Sequence, residues 1–337
     1  MATRAARKPR RKPAKRRTVR RHRKQLDISS FSSGVARVPN LERAALLAGD
    51  VELAAAIKLA SGMPVTDQRE RQAAISSVRA ISNSGGTTVS SMRRARETSL
   101  APQTVGKTLV NLENQGLLVR GEVRRSGERG QPATPFFLAR DGAFTLGCEI
   151  GWRHCSIHLA NIGGDVLAED HWAYDFPDAS TVFDDIAGRV RSMVTRLSAL
   201  NQKRLVGLAV AVPSGISLQV KALGGSDDDV DRWVGVDLLD RLQAATGLKV
   251  TLYNDGVAAC WGELAALPKP RPGTFACYLV STFIPAGIGA DGRLWEGPTG
   301  EAADLGLMVT TTRNGEQRFV HSIAGLYALQ KLLEAAG

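Results

Sequence analysis

Apolar and polar positions alternate differently in successive parts of the chain. Residues 41–60 are rich in Ala, Leu and Glu and follow Asn40, a good N-cap type, so a helical segment is expected over 40–64. A second helix is expected from about Thr66 through Ile81, where Asn83-Ser84-Gly85-Gly86 stops it. Residues 89–96 then read as a helix, Glu97-Thr98-Ser99 as a tight turn and 101–114 as another helix. Leu100, Val105, Leu109 and Leu112 recur on one face of that region, and Gln115-Gly116 closes it as a C-cap would. Residues 117–120 are apolar enough for a strand, 124–132 form a glycine-rich basic turn, and 135–138 supply a returning strand. Together these predict a winged helix-turn-helix over 66–140.

From about Ala143 the pattern changes. Residues 145–150, 153–160 and 165–172 read as three consecutive strands, with Asn161-Ile162-Gly163-Gly164 as a hairpin turn between the last two. A long helix is expected over 181–201. Residues 205–212 form a nearly continuous apolar run ended by Pro213-Ser214-Gly215, as in a buried strand. A helix over 236–246, a strand over 250–253 and a helix over 257–266 follow, the last opened by Asn254-Asp255-Gly256. This alternation predicts a layered α/β domain over 143–337.

The formal charge of +11 changes this picture only through its location. Residues 1–24 hold 13 Lys and Arg and no acid; without them the chain carries 31 basic against 33 acidic residues, a net of −2. The stretch 1–26 therefore reads as a disordered basic tail, too poor in apolar residues to fold alone. A secretory signal would place an apolar run after the charges, and here polar residues 25–33 follow. A solubilising arm, a transit peptide and a non-specific DNA clamp working by counterion release all fit the tail. The helices behind it favour the clamp. The second helix would present Gln103, Thr104, Lys107 and Thr108 to bases, since Gln can bond adenine and Lys can reach guanine or phosphate. Arg93 from the preceding helix and Arg124, Arg125 and Arg129 from the wing would lie along phosphates or in the minor groove. A helix pair used only for protein contacts is the plain alternative.

Cys148, Cys155, Cys260 and Cys277 are scattered and form no C-x-x-C pair, so neither a zinc site nor a disulfide framework is expected, and reduced thiols imply a cytoplasmic protein. No apolar run approaches the ~20 residues of a membrane helix. The five tryptophans, Trp152, Trp172, Trp233, Trp261 and Trp295, are expected to pack in the core or hinge rather than to stack on a sugar.

One segment carries a resemblance. Residues 254–263, Asn-Asp-Gly-Val-Ala-Ala-Cys-Trp-Gly-Glu, resemble the N-D-A-N-A-A-A-x-G-E motif of the ROK family of repressors, open reading frames and sugar kinases. Residues 206–215 are similar to its G-x-G-x-P-G strand-turn, with weaker matches at 233–238, 146–164 and 287–306. The resemblance covers about two-thirds of the chain and places it in the repressor branch. It implies an actin-like, ribonuclease-H-type sugar-kinase-like domain with a sugar site between two lobes. The second lobe is expected to be shortened, because the family usually extends beyond the position of Gly337. Asn254, Asp255 and Asp304 are the implied sugar ligands, Asp255 standing where the kinases have their catalytic base.

The phosphate loops depart from the family. Its D-x-G-G-T reads here Glu149-Ile150-Gly151-Trp152-Arg153, and its G-T-G-I-G-x-G reads Ser281-Thr282-Phe283-Ile284-Pro285-Ala286-Gly287. Proline removes an amide donor, and side chains replace glycines where backbone must approach phosphate. The family's zinc cluster is also missing, with Leu307 in place of its histidine and no cysteine after Cys277. The implied protein is therefore not an enzyme: no catalytic residue, cofactor or metal is expected. It is expected to be a sequence-specific, nucleoid-associated DNA-binding regulator, a homodimeric repressor acting on double-stranded DNA, with a sugar or sugar phosphate as effector. A sugar kinase with an appended DNA-binding module and a constitutive nucleoid-type DNA binder are the alternatives.

Overall fold

In the computed structural model, residues 102–122, 134–266, 273–290, 293–295 and 305–336 are described. The tail 1–26, the segments 40–64 and 66–101 with Arg93, the hairpin tip with Arg124, Arg125 and Arg129, and Asp304 lie outside the described residues.

Helix α1 (Pro102–Asn114) carries Val105, Leu109 and Leu112 three and four positions apart, and all three are buried. It closes in a Schellman motif: Leu117 N–H donates to Leu112 O (3.0 Å) and Gly116 N–H to Glu113 O (2.8 Å), with Gly116 in the left-handed region. The chain turns directly into β1 (Leu118–Arg120), which pairs antiparallel with β2 (Phe136–Leu138), Leu118 facing Leu138. The helix and both strands lie where the residue pattern predicts them, to within a residue or two.

The central sheet consists of β3 (Phe144–Ile150), β4 (His154–Asn161), β5 (Val166–Ala173), β6 (Leu205–Val212) and β7 (Val250–Asn254), in the order β5-β4-β3-β6-β7. The first three strands form an antiparallel meander, and β6 and β7 run parallel to β3. This is the ribonuclease-H-type arrangement that the resemblance implies. Strand alternation sends Leu252 to one face and Tyr253 to the other. On the first face α2 (Val182–Val194) lays Phe183, Ile186, Val190 and Met193 against the sheet, and Leu242 of a later helix joins them.

The helix expected over 181–201 is broken in two. Ser198 Oγ accepts from Asn201 N–H (3.2 Å) and starts α3 (Ala199–Gln202) afresh, because a serine in extended backbone satisfies a helix start better than a helix interior. Two helices that the residue pattern did not mark follow β6: α4 (Ile216–Val220) and α5 (Asp227–Trp233). The second opens with a capping box between Ser226 and Asp229. Next, α6 (Leu238–Thr246) starts at the cap residue Asp237.

On the other face, α7 (Asp255–Ala266) and α1 share a single apolar core, in which Val105, Leu109 and Leu112 join Val206, Tyr253 and Val257. Beyond α7 stands a second, antiparallel sheet of β8 (Thr274–Tyr278), β9 (Ala286–Ala290) and β10 (Arg293–Leu294). Helix α7 presses on it so closely that a Cβ on Gly256 would sit 2.4 Å from the Ala286 carbonyl oxygen. The hairpin β11 (Val309–Thr311) and β12 (Gln317–Phe319) precedes α8 (His321–Ala324) and α9 (Leu326–Ala336). Among the described residues no helix is long and apolar enough to cross a membrane.

Candidate ligand-binding cleft

The parallel strands β6 and β7 end side by side, Val212 opposite Asn254, and their carboxyl ends open a cleft against the second sheet. Crevices at the carboxyl ends of parallel strands are the usual ligand positions of α/β sheets. Strand β6 delivers Pro213-Ser214-Gly215, and Gly215 takes φ 67° to turn the chain into α4. Strand β7 delivers Asn254 and Asp255.

Both of these residues do structural work as well as lining the cleft. Asn254 Oδ1 accepts from Val257 N–H (3.1 Å), capping α7, while its Nδ2 donates to Ser214 Oγ (3.1 Å). Asp255 Oδ1 accepts from the Gly256 amide (2.8 Å). The half-buried Asp255 thus lines the cleft at the first turn of α7, a helix N-terminus that favours negative charge.

The opposite wall contains a residue that the sequence reading did not single out. His321 Nδ1 lies 3.0 Å from Gly306 O, an acceptor only, so Nδ1 carries a proton. Its ring stacks on Phe319 (centroids 5.6 Å apart, 12°) and meets the edge of Phe283 (5.3 Å). Burial pushes its pKa below the ordinary 6.5, opposed by the Gly306 carbonyl. At neutral pH His321 therefore lines the cleft as an uncharged group with Nε2 as an acceptor. Nothing near it in the sequence signals this, because Gly306 and Phe283 come from distant turns.

The two segments that the resemblance aligns with the family's phosphate loops meet each other. Trp152, at the β3–β4 turn, packs edge-on against Phe283 with centroids 5.0 Å apart and an interplanar angle of 88°. Together with Leu223 they form a small core, and Phe283 also meets Tyr327 at 5.9 Å. Three amides in this region donate within the protein: Gly151 N–H to His154 O (2.9 Å), Ser281 N–H to Phe283 O (3.1 Å) and Leu279 N–H to Pro285 O (3.0 Å). Trp152 and Trp233 are buried, as expected, but Trp152 also lines the cleft, and Trp295 is exposed rather than packed.

On α1, Gln103 and Lys107 point outward and are exposed. Thr108 is only 7% exposed, because it lies three residues after Val105 and four before Leu112 on the inward face. It is removed from the candidate DNA surface. The Thr104 side chain is outside the described set. Among the described residues no group of three or more His, Cys, Asp or Glu side chains is placed to hold a metal ion. Cys148 and Cys155 are buried thiols with Sγ atoms 3.7 Å apart, and their mutual hydrogen bond with burial pushes the Cys148 pKa up.

Comparison with known proteins agrees with this architecture. The ROK family model matches residues 145–318, just over half of the chain. N-acetylmannosamine kinase from Vibrio cholerae is 34% identical over 103 residues, which are 29% of this chain and 36% of the kinase. The chain thus spans about a third of the length of the curated relatives it matches. Among solved structures, a ROK family transcriptional regulator, homologous to the MLC protein of E. coli, superposes with a TM-score of 0.54 at 19% identity. That superposition covers 76% of this chain and 68% of that one. A ROK family glucokinase from Streptomyces griseus, in complex with glucose and AMPPNP, gives a TM-score of 0.44 at 21% identity over 56% of this chain and 59% of its own.

Proposed function

The chain belongs to the ROK family, and on that premise we propose that it is a DNA-binding repressor whose ROK domain reads a sugar and transfers no phosphate. The observation that carries this reading is the Trp152–Phe283 contact. Phosphoryl transfer needs a cradle of free amides and close backbone around the nucleotide phosphates. Here an indole and a phenyl ring meet at that place, and the Gly151 and Ser281 amides donate to internal carbonyls. Asp255 keeps the position of a base without a phosphoryl group to work with. Its carboxylate and the Nε2 of His321 both border the cleft and are of a type suited to a ligand rich in hydroxyl donors, with Asp304 as a further proposed ligand.

DNA contact is assigned to Gln103, Lys107 and Thr104 of α1 for bases, with Arg93, Arg124, Arg125 and Arg129 on the phosphates and the basic tail as a clamp. The shared core supports coupling between the two ends. Tyr253, adjacent to Asn254, and Val257, which donates to the Asn254 side chain, both pack with the α1 leucines. A ligand that shifts the start of α7 would therefore strain the seat of α1, and a homodimer would convert that into a changed spacing of paired helices.

The reading is tested by selecting a duplex from random DNA and titrating it by fluorescence anisotropy, alongside an ATP-dependent phosphorylation assay on glucose, N-acetylglucosamine and N-acetylmannosamine. We expect a selected sequence and no turnover. Deleting residues 1–24 should flatten the salt dependence and keep the preference, whereas Gln103→Ala or Lys107→Ala should erode preference by about 1–3 kcal/mol per lost base contact. Turnover that vanishes in Asp255→Asn would establish the kinase alternative instead.

A further inference from the structure

We propose that the ligand site has two compartments and takes an uncharged disaccharide rather than a single sugar ring. This inference rests on the sugar-binding reading above. The cleft at Asn254 and Asp255 is small, about 70 Å³, under half of the roughly 150 Å³ that encloses a benzene ring, so it takes one edge of a pyranose and the rest of a ligand must extend beyond it. It does not end there. Gln219, Phe283 and His321 border both this cleft and a second cavity of about 420 Å³. His321 therefore stands at a threshold, held in place by its bond to Gly306 O and its stacking on Phe319.

The chemistry of the outer cavity matches a second sugar unit. Phe283 and Tyr327 supply ring surface for the C–H face of a pyranose, and Gln219, Thr312, Arg318 and Lys331 bring polar groups around it. The two cations are already matched by carboxylates of their own elements: Arg318 Nη2 to Glu316 Oε2 at 3.0 Å and Lys331 Nζ to Glu334 Oε2 at 2.8 Å. An anionic substituent would have to compete with both pairs. A neutral ring needs only their remaining N–H groups, so the cavity favours hydroxyls over phosphate. Tyr327 is a firm wall: its hydroxyl donates to Ala222 O (2.6 Å) and its backbone amide to Thr282 O (3.1 Å), which ties α9 across the cavity floor.

Calorimetric titration of the full chain tests this, with glucose, N-acetylglucosamine and mannose against maltose, cellobiose and diacetylchitobiose, and with glucose 6-phosphate as the anionic probe. At least one disaccharide should bind about tenfold or more tighter than its own monomer, the gain of one or two further hydrogen bonds. Ala328→Trp, which fills the outer cavity, and Arg318→Ala, which leaves its space open, should each bring the disaccharide back toward the monomer while the monomer is unchanged. Asp255→Asn should weaken both. Equal affinity for monomer and dimer, a dimer advantage that survives both outer variants, or preference for glucose 6-phosphate would overturn the two-compartment site and leave sugar binding standing. Absence of heat from every sugar would overturn both.

Discussion

Two amphipathic helices flank the described structure, and they are used in opposite ways. Helix α1 buries Val105, Leu109 and Leu112 to 3% exposure or less in a core shared with Tyr253 and Val257, whereas α9 leaves Leu326, Leu329, Leu332 and Leu333 at 50–66% exposure. The apolar spacing is comparable; the difference lies in what each helix meets. The first is welded to the strand that ends in Asn254, and the second is held mainly at its start, through Tyr327. A change at the cleft has a packed route to α1, and packed cores transmit strain where exposed faces do not.

Substitution of the two sets of leucines sharpens this contrast most. Leu109→Ala should destabilise the protein by about 2–5 kcal/mol, the usual result of opening a cavity at a fully buried leucine, while Leu333→Ala should lie within about 0.5 kcal/mol of wild type. Chemical denaturation of both variants measures it, and equal losses would erase the distinction between the helices. Next in size is Gly256→Ala. Its Cβ would meet the Ala286 backbone at 2.4–2.5 Å, so α7 must shift, at about 1–3 kcal/mol. That shift should loosen ligand binding and DNA binding together. A loss confined to stability would show that the α7 start does not communicate with α1.

The smallest effect concerns pH. His321 has a folded pKa held below its ordinary 6.5 by burial. The unfolded chain therefore takes up the proton first, and stability present above pH 6.5 is lost as pH falls through the folded value. Thermal melts between pH 7.5 and 5 should show that decline, and His321→Gln should flatten it. A decline that is unchanged in the variant would assign it to other groups.

Much of the first sheet was legible in the residues. Strands β3 to β7 lie within a residue or two of their expected bounds, because alternating burial writes itself into the sequence, and β6, buried on both faces, shows as a continuous apolar run. The break at Ser198 and the short helices α4 and α5 were not legible, since a serine that caps and a serine inside a helix look alike without the tertiary context. At the site, Asn254 and Asp255 could be found because strand end and helix start are consecutive in the chain. His321 could not, because its role comes from Gly306 and Phe283, brought together only by folding. Thr108 was assigned outward from its place near the start of the helix, although its spacing from Val105 and Leu112 already turns it inward.

Coupling between cleft and helix is the central claim, and one titration tests it most directly. Fluorescence anisotropy of a selected duplex would be followed with and without a saturating cleft sugar, for the wild type and for Asp255→Ala. The account predicts that the sugar loosens DNA binding by wild type roughly 5- to 150-fold, a coupling of about 1–3 kcal/mol, and leaves the variant's affinity unchanged. A sugar that binds the wild type without moving its DNA affinity, or that moves both proteins equally, would contradict it.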